Sequence, residues 1–310
     1  MDLRQLAALA AVADAGSFSA AARRLHTVQS NVSTHIARLE RELGTTLVDR
    51  SNGALTEEGE LVVDRARRVH HELESLRSDV ASMLHDVSGQ VRLGCIGTAS
   101  RWLLPDLLRA MAERHPRVRV VIVDATTTSL VPQVVSGALD LAVVNLPLGE
   151  GDLSTEPLFD EQRVLAAPFA HPLANREHVE LADLAEHELL LEPRGTPFRD
   201  ELDHEAARLG IQMRAQAEID GVGLLAWLAF QGYGAAILPA TAASGWIEIS
   251  CRRIAVGGLS PRSVGIAMPR RGRPAAPARA VRAAIRELVE GADQEGVRPT
   301  LTAGDPAEPS

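Results

Sequence analysis

The sequence predicts an α/β protein in three parts: a small helical head, one long linking helix, and a two-lobed region of strands and helices. Three observations carry this. Residues 3–43 place apolar side chains at helical spacing between glycine and polar breaks, residues 57–87 carry a seven-residue apolar repeat, and from Val91 short strand-like runs alternate with helical ones. The chain has 310 residues, 45% hydrophobic and 24% charged, enough for two or three domains with real cores and unlike a fibrous or wholly disordered chain.

In the head, Leu6, Leu9, Val12 and Ala13 share one helical face, and Gly16 sits where that helix should stop. Ser17 and Ser19 are caps for a short alanine-rich helix, Ala20 to Leu25. After a break at His26–Val28, Val32, Ile36, Leu39 and Leu43 form one buried stripe. Two helices joined by so short a turn make a helix-turn-helix pattern, although an ordinary helical bundle has the same periodicity. The outward positions favour the former. Gln29, Ser30, Ser33 and Thr34 are short polar groups near the helix N-terminus, followed by Arg38, an arrangement that a DNA major groove accepts. From Ser17 to Arg41 four arginines face one acid, Glu40, so the basic patch is local.

Ser51-Asn52-Gly53 lies between short apolar runs and reads as the turn of a β-hairpin wing that would bring Arg50 and Asn52 to phosphate, or else as a surface loop. Thr56 caps the long helix. Val62, Ala66, Val69, Leu73, Leu76, Val80, Met83 and Val87 then alternate spacings of four and three until Ser88-Gly89. So narrow a stripe predicts a helix–helix seam between two chains, the alternative being one helix packed on its own protein.

Strands are predicted at 91–97, 117–125, 139–145, 188–192, 234–239 and 263–269, and helices at 103–114, 130–136, 198–209, 224–230 and 278–290. Their alternation implies mostly parallel sheets, with a ligand at the carboxyl ends of the strands. Thr98 and Ser100, Thr127, Asn145, Arg194 and Thr196, and Gly221-Val222 all fall at such ends. Together with helix N-termini they suit a small anionic or polar ligand, though the same hydroxyls also serve as helix caps.

No nucleophile elbow, zinc-protease helix or phosphate loop occurs, so no catalytic residue, metal site or cofactor is expected. Cys95 and Cys251 make no disulfide framework and fit a reducing cytoplasm. All 32 basic residues are arginine, and the net charge of -9 argues against nonspecific coating of nucleic acid. No apolar run is long enough for a membrane span, and no export signal is read at the start. The Gly- and Pro-rich residues 291–310 are expected to be a disordered tail.

The segment GSFSAAARRLHTVQSNVSTHIARLERELGTTLVDRSNGALTEEG resembles the winged helix-turn-helix of LysR-type transcriptional regulators. Downstream, Gly137-x-Leu139-Asp140-Leu141-Ala142, His171-Pro172-Leu173 and Gly232-x-Gly234-x-x-x-Leu238-Pro239 fit the same family in the right order. The resemblance implies a homo-oligomer, dimer or tetramer, paired through linker helices. Its effector domain would be two-lobed and similar to type 2 periplasmic binding proteins. The implied division is residues 1–59 for the head, 60–88 for the linker and 89–290 for the effector domain. Lobe I would take about 89–164 and 269–290, and lobe II about 165–268, with the lobes exchanging near Val164–Pro168 and Ile266–Pro269. By position, Gln29, Ser30, Asn31, Ser33, Thr34, His35 and Arg38 would face double-stranded DNA, with Arg50 and Asn52 on the wing. The effector cleft would use Thr98, Ser100, Thr127, Asn145, Arg194, Thr196, Gly221 and Val222. Val28 stands where the family usually has Ser or Thr, so Thr27 is the expected substitute cap. The function implied is effector-controlled, sequence-specific DNA binding. A small-molecule binding protein or enzyme with an added DNA-binding arm is the alternative.

Overall fold

A computed structural model describes residues 1–50, 53–84, 86–149, 151–243, 251–270, 272–293 and 296–300. The head comprises α1 (Leu3–Ala15), α2 (Phe18–Arg24) and α3 (Gln29–Leu43). Asp2 and Gln5 form a capping box at the start of α1, and Gly16 ends it in the left-handed conformation, φ 67°. Ser17 caps α2 by accepting from the Ala20 amide. Leu9, Val12, Ala21, Val32, Ile36 and Leu39 close into one core with Leu47 and Val48, as their spacing predicts.

The linker is α4 (Glu57–Leu84), and Thr56 Oγ1 accepts from the Gly59 amide at 3.0 Å to start it. The helix ends earlier than the sequence suggests. Residues 86–88 are not helical, so Val87 falls off the apolar stripe; Asp86 is held instead by the Arg117 guanidinium at 3.1 Å. Val63 and Ala66 pack into the protein, whereas Val69, Leu76, Val80 and Met83 remain exposed.

The rest of the chain forms two lobes, each around a mixed sheet of six strands. Lobe I has β1 (Gly89–Cys95), α5 (Gly97–Arg114), β2 (Val118–Asp124), α6 (Thr127–Val135), β3 (Leu141–Leu146) and β4 (Leu153–Glu161). Lobe II has β5 (Arg163–Pro168), β6 (His178–Glu180), α7 (Leu181–Leu184), β7 (Glu188–Leu191), α8 (Pro197–Arg208), β8 (Arg214–Glu218), α9 (Val222–Phe230) and β9 (Ala235–Pro239). A 3-10 turn (Ala240–Ala243) and β10 (Cys251–Gly257) follow. The chain then re-enters lobe I with β11 (Arg262–Pro269), α10 (Ala276–Glu290) and β12 (Val297–Pro299).

The strand orders are β12-β4-β11-β3-β1-β2 and β6-β10-β5-β9-β7-β8. β1 runs parallel to β2 and β3, and β7 parallel to β8 and β9, as the strand–helix alternation requires. β11 is antiparallel to β3 and β4, and β5 is antiparallel to β9 and β10, so the sheets are mixed rather than mostly parallel.

Two boundaries differ from the sequence expectation. β11 pairs with β3 and β4 along its whole length, so residues 262–268 belong to lobe I and not to lobe II. The lobes therefore exchange at Gln162 and between Gly257 and Arg262, before Val164–Pro168 and Ile266–Pro269 are reached. The expected tail is also partly ordered. Val297–Pro299 add an antiparallel edge strand to β4, while residues 301–310 lie outside the described residues.

Candidate DNA-reading head and effector cleft

The exposed face of α3 carries Gln29, Ser30, Asn31, Thr34 and Arg38, with Ser33 and His35 half-buried beside them. Buried Val32, Ile36 and Leu39 fix this orientation by facing the head core. Several of these groups already have partners. Gln29 Oε1 accepts from Ser19, Asn31 donates to Thr27 Oγ1 at 3.0 Å, and Thr34 donates to the Ser30 carbonyl at 2.7 Å. Thr27 therefore holds Asn31 rather than capping the helix, and Val28 at the cap position supplies no side-chain hydrogen bond. An uncapped N-terminus keeps amide donors open toward an anion such as a phosphate. Arg38 is exposed and has no ion pair among the described residues. His35 Nδ1 is buried without a partner among them.

Residues 48–49 and 54–55 pair as the arms of the expected hairpin. Val48 bridges Leu55, the Asp49 amide donates to Ala54 O at 2.8 Å, and Gly53 turns the chain at φ 76°. Arg50 is exposed but leans back 3.2 Å onto Glu40. The other carboxylate oxygen of Glu40 accepts from the Leu47 and Val48 amides, at 2.9 and 3.3 Å. One acid on α3 thus holds both the wing's root and its cation. Asn52 lies outside the described residues.

The linker helix is tied to lobe I as well as to the head. Asp79 Oδ1 accepts from the Ala276 amide at the N-terminus of α10 (2.9 Å) and from Arg279 (3.2 Å). His71 Nδ1 lies 3.4 Å from Asp140, whose other oxygen accepts from the Arg92 amide at 2.6 Å. Burial holds the Asp140 carboxyl above its ordinary range, with the Arg92 amide bond, His71 and Arg92 pulling it back.

In the cleft, the parallel strands of each lobe feed helices from their carboxyl ends, so α5 and α6 begin on one side and α8 and α9 on the other. None of the four helix starts has a side-chain cap. α5 and α9 approach each other: a Cβ placed on Gly223 would lie 3.0 Å from Arg101 Nη2.

The residues expected in the cleft fall into several groups. Thr98 Oγ1 accepts from Arg262 at 2.6 Å, and the Thr98 carbonyl accepts from Thr241 at 3.3 Å. Asn145 Oδ1 accepts from the same Arg262 at 3.3 Å, and its amide donates to Thr127 Oγ1 at 3.0 Å. These three positions are thus brought together. Ser100 is buried, and its hydroxyl donates back to the Ile96 carbonyl at 3.0 Å. Thr196 donates to Pro193 O at 2.9 Å, and Arg194 stands exposed on the same turn. Gly221 precedes α9 with φ 111°, a conformation that excludes most side chains, and Val222 is half-buried at the first turn.

Sequence reasoning missed the charges at the hinge. Glu161 and Arg262 end β4 and begin β11, and both are buried. Glu161 accepts from the Thr241 amide at 2.6 Å and from Arg262 Nε at 2.7 Å. Arg163 stacks 3.9 Å over the Phe198 ring, pairs with Glu201 at 2.6 Å and donates to Ser260 O at 3.2 Å. Burial pushes the Arg163 guanidinium down despite Glu201, and the neighbouring Arg262 adds to that. Burial also pushes the Glu192 carboxyl up, while Thr196 and Arg163 oppose it. Arg163, the residue after the hinge, was the one sequence clue: a cation leading an otherwise apolar strand.

Two family models match. Residues 3–60 match the bacterial regulatory helix-turn-helix protein of the lysR family, and residues 85–290 match the LysR substrate binding domain. Among curated proteins, the chain is 35% identical over 245 residues to a probable hydrogen peroxide-inducible genes activator of Streptomyces viridosporus, covering 77% of this chain and 78% of that one. It is 32% identical over 244 residues to the DNA-binding transcriptional dual regulator OxyR of Escherichia coli K12, covering 78% and 80%. Among solved structures, full-length CbnR complexed with its target DNA superposes with a TM-score of 0.68 at 27% identity, covering 94% of this chain and 99% of that one. Head, linker and two-lobed domain thus agree in sequence and in shape, and the chain belongs to the LysR family of DNA-binding transcriptional regulators with a small-molecule effector domain.

Proposed function

We propose that the effector of this regulator is a small anion held between the start of α5 in lobe I and the start of α9 in lobe II. The observation that carries this is the pair of uncapped helix starts beside Arg101, a guanidinium with no ion pair among the described residues. Arg262 supplies no free charge, because Glu161 neutralises it. Asp124 beside Gly97, together with Glu192 and Asp220, limits the negative charge the cleft accepts, which favours a monoanion. On this reading the cleft binds and releases its ligand without turnover. The protein acts in the cytoplasm, where its DNA is; no single helix among the described residues is long and apolar enough to cross a membrane.

The relatives are named for hydrogen peroxide, but the thiols of this chain do not suit that signal. Peroxide chemistry at cysteine needs an accessible thiolate. Burial pushes the Cys95 thiol up to about 12 and the Cys251 thiol up to about 11. Each sits in the core of a different lobe, and Cys251 Sγ donates to Ala229 O at 3.0 Å.

Calorimetric titration of the purified protein with short-chain monocarboxylates, dicarboxylates, inorganic phosphate and uncharged analogues tests the proposal. A carboxylate or phosphate that binds the native chain and loses at least about tenfold in affinity with Arg101→Glu supports it, since one desolvated charge contact is worth roughly 1.5–3 kcal/mol. Binding confined to uncharged analogues, or indifferent to Arg101→Glu, would sink it.

A further inference from the structure

The chain after α10 returns to the one place where both lobes meet. Gly296 O accepts from the Gln162 amide at 2.8 Å, and Gln162 is the single residue between β4 of lobe I and β5 of lobe II. The Gln162 carbonyl in turn accepts from the Ala240 amide of lobe II at 2.9 Å. One hinge residue is therefore held by the C-terminal segment through its N–H and by lobe II through its carbonyl.

The same five residues grip each lobe differently. In lobe I, β12 pairs Val297 with Glu161, Arg298 with Asp160 and Pro299 with Phe159, and the Thr300 amide donates to Leu158 O at 2.9 Å. Val297 packs on the lobe I core. Toward lobe II the contact is a close approach rather than a ladder. A Cβ on Gly296 would lie 2.5 Å from the Ala240 Cβ, and Gly296 has φ 82°. Only glycine meets both conditions without displacing the chain. Glu161, the register partner of Val297, points its carboxylate into the cleft network with Arg262 and Thr241. The backbone the segment holds is thus the backbone that carries the cleft's buried charge.

We infer that residues 296–300 are a hinge clamp, a built-in restraint on the angle between the two lobes and hence on the motion an effector must produce. It stands whether or not the effector is an anion. The competing explanation is an edge cover, because Arg298 and Pro299 suit an exposed edge strand that should not recruit another. An edge cover needs only the pairing with β4. A clamp needs the Gly296–Ala240 seat as well.

The test uses the full-length protein with spin labels introduced by Arg109→Cys in lobe I and Arg208→Cys in lobe II, both exposed. Labelled chains are diluted into unlabelled ones so that distances within one chain are read. Two variants are compared with the parent: a chain ending at Ala292, and Gly296→Val, which forces the seat apart. The clamp predicts a broader interlobe distance distribution in both. It also predicts severalfold, up to about tenfold, faster hydrogen exchange at the Gln162 amide once its bond to Gly296 is lost. Unchanged distributions in both variants would leave an edge cover and overturn the clamp. Broadening in the truncated chain but not in Gly296→Val would put the restraint in strand pairing alone, and would overturn it too. If the truncated chain fails to fold, Gly296→Val decides by itself.

Discussion

Arg262 Nε lies 2.7 Å from Glu161 Oε2 where β4 leaves lobe I and β11 returns to it, and both residues are buried. The guanidinium also donates to Thr98 and Asn145, and the other Glu161 oxygen takes the Thr241 amide of lobe II. One ion pair therefore sits at both crossings between the lobes and ties Thr98 and Asn145 of lobe I to Thr241 of lobe II. Removing one member strands the other. Glu161→Ala should cost about 3–5 kcal/mol, the range for breaking a buried pair, while the double replacement Glu161→Leu with Arg262→Met should cost much less. Urea denaturation of the three proteins decides the matter; equal losses in the single and double variants would mean that the pair itself is unimportant.

Arg38 is exposed on α3 and has no ion pair among the described residues, with Gln29, Ser30 and Thr34 on the turns before it. Arg38→Ala should remove tight operator binding and leave the fold and oligomer unchanged, because the side chain is exposed and lies outside the head's apolar core. If it meets phosphate, the slope of log affinity against log salt should fall by about one unit; if it reads a base, affinity should fall with discrimination between sites. Fluorescence anisotropy across a salt series, with an operator and a scrambled duplex, separates the two. Unaltered binding would refute the assignment of α3 as the reading helix.

The parts of this architecture visible in the sequence are those written in local periodicity. The stripe Val32, Ile36, Leu39 and the alternating Val91, Leu93 and Cys95 bury their side chains within one element, so spacing alone announces them. β4 is different. Leu158 and Phe159 are both buried although adjacent, because the register with β11 shifts between Val264 and Gly265 and breaks strict alternation. At that shift a Cβ on Gly265 would meet the Glu156 carbonyl at 2.5 Å, so the bulge is built on a glycine. The hinge pair is 101 residues apart in sequence, and nothing near Glu161 or Arg262 signals the partner. For the same reason the polar ends at Thr98, Thr127 and Asn145 were visible as a group, while the arginine that ties Thr98 and Asn145 together was not.

Leu76 and Met83 stand 60% and 87% exposed on α4, beside Val69 and Val80, on a helix whose other face is already packed. A stripe with no covering in one chain is a face that two such helices would bury against each other. Leu76→Glu should shift the protein to a smaller oligomer and weaken operator binding, since two heads no longer act together. Sedimentation velocity reads the first effect directly. An unchanged sedimentation coefficient would move the oligomer contact elsewhere.

The buried thiols give the protein an alkaline liability with a definite sign. Cys95 has its thiol pushed from an ordinary 9.0 up to about 12 by burial, with Ser100 opposing and Asp124 adding to the rise. A folded-state value above the unfolded one means the native protein keeps a proton that the unfolded chain releases. Its contribution is then fully present below about pH 9 and is lost as pH rises from there toward 12. The slope for one such group approaches about 1.4 kcal/mol per pH unit. Cys95→Ala should flatten the dependence between pH 9 and 10.5 by roughly that amount, whatever it costs in packing at neutral pH. The same protonation makes both thiols slow toward alkylating reagents and peroxide at pH 7, with reaction following unfolding. Rapid labelling of the native chain at pH 7, or a peroxide-dependent change in operator binding that Cys95→Ala removes, would restore a thiol-based signal to this regulator.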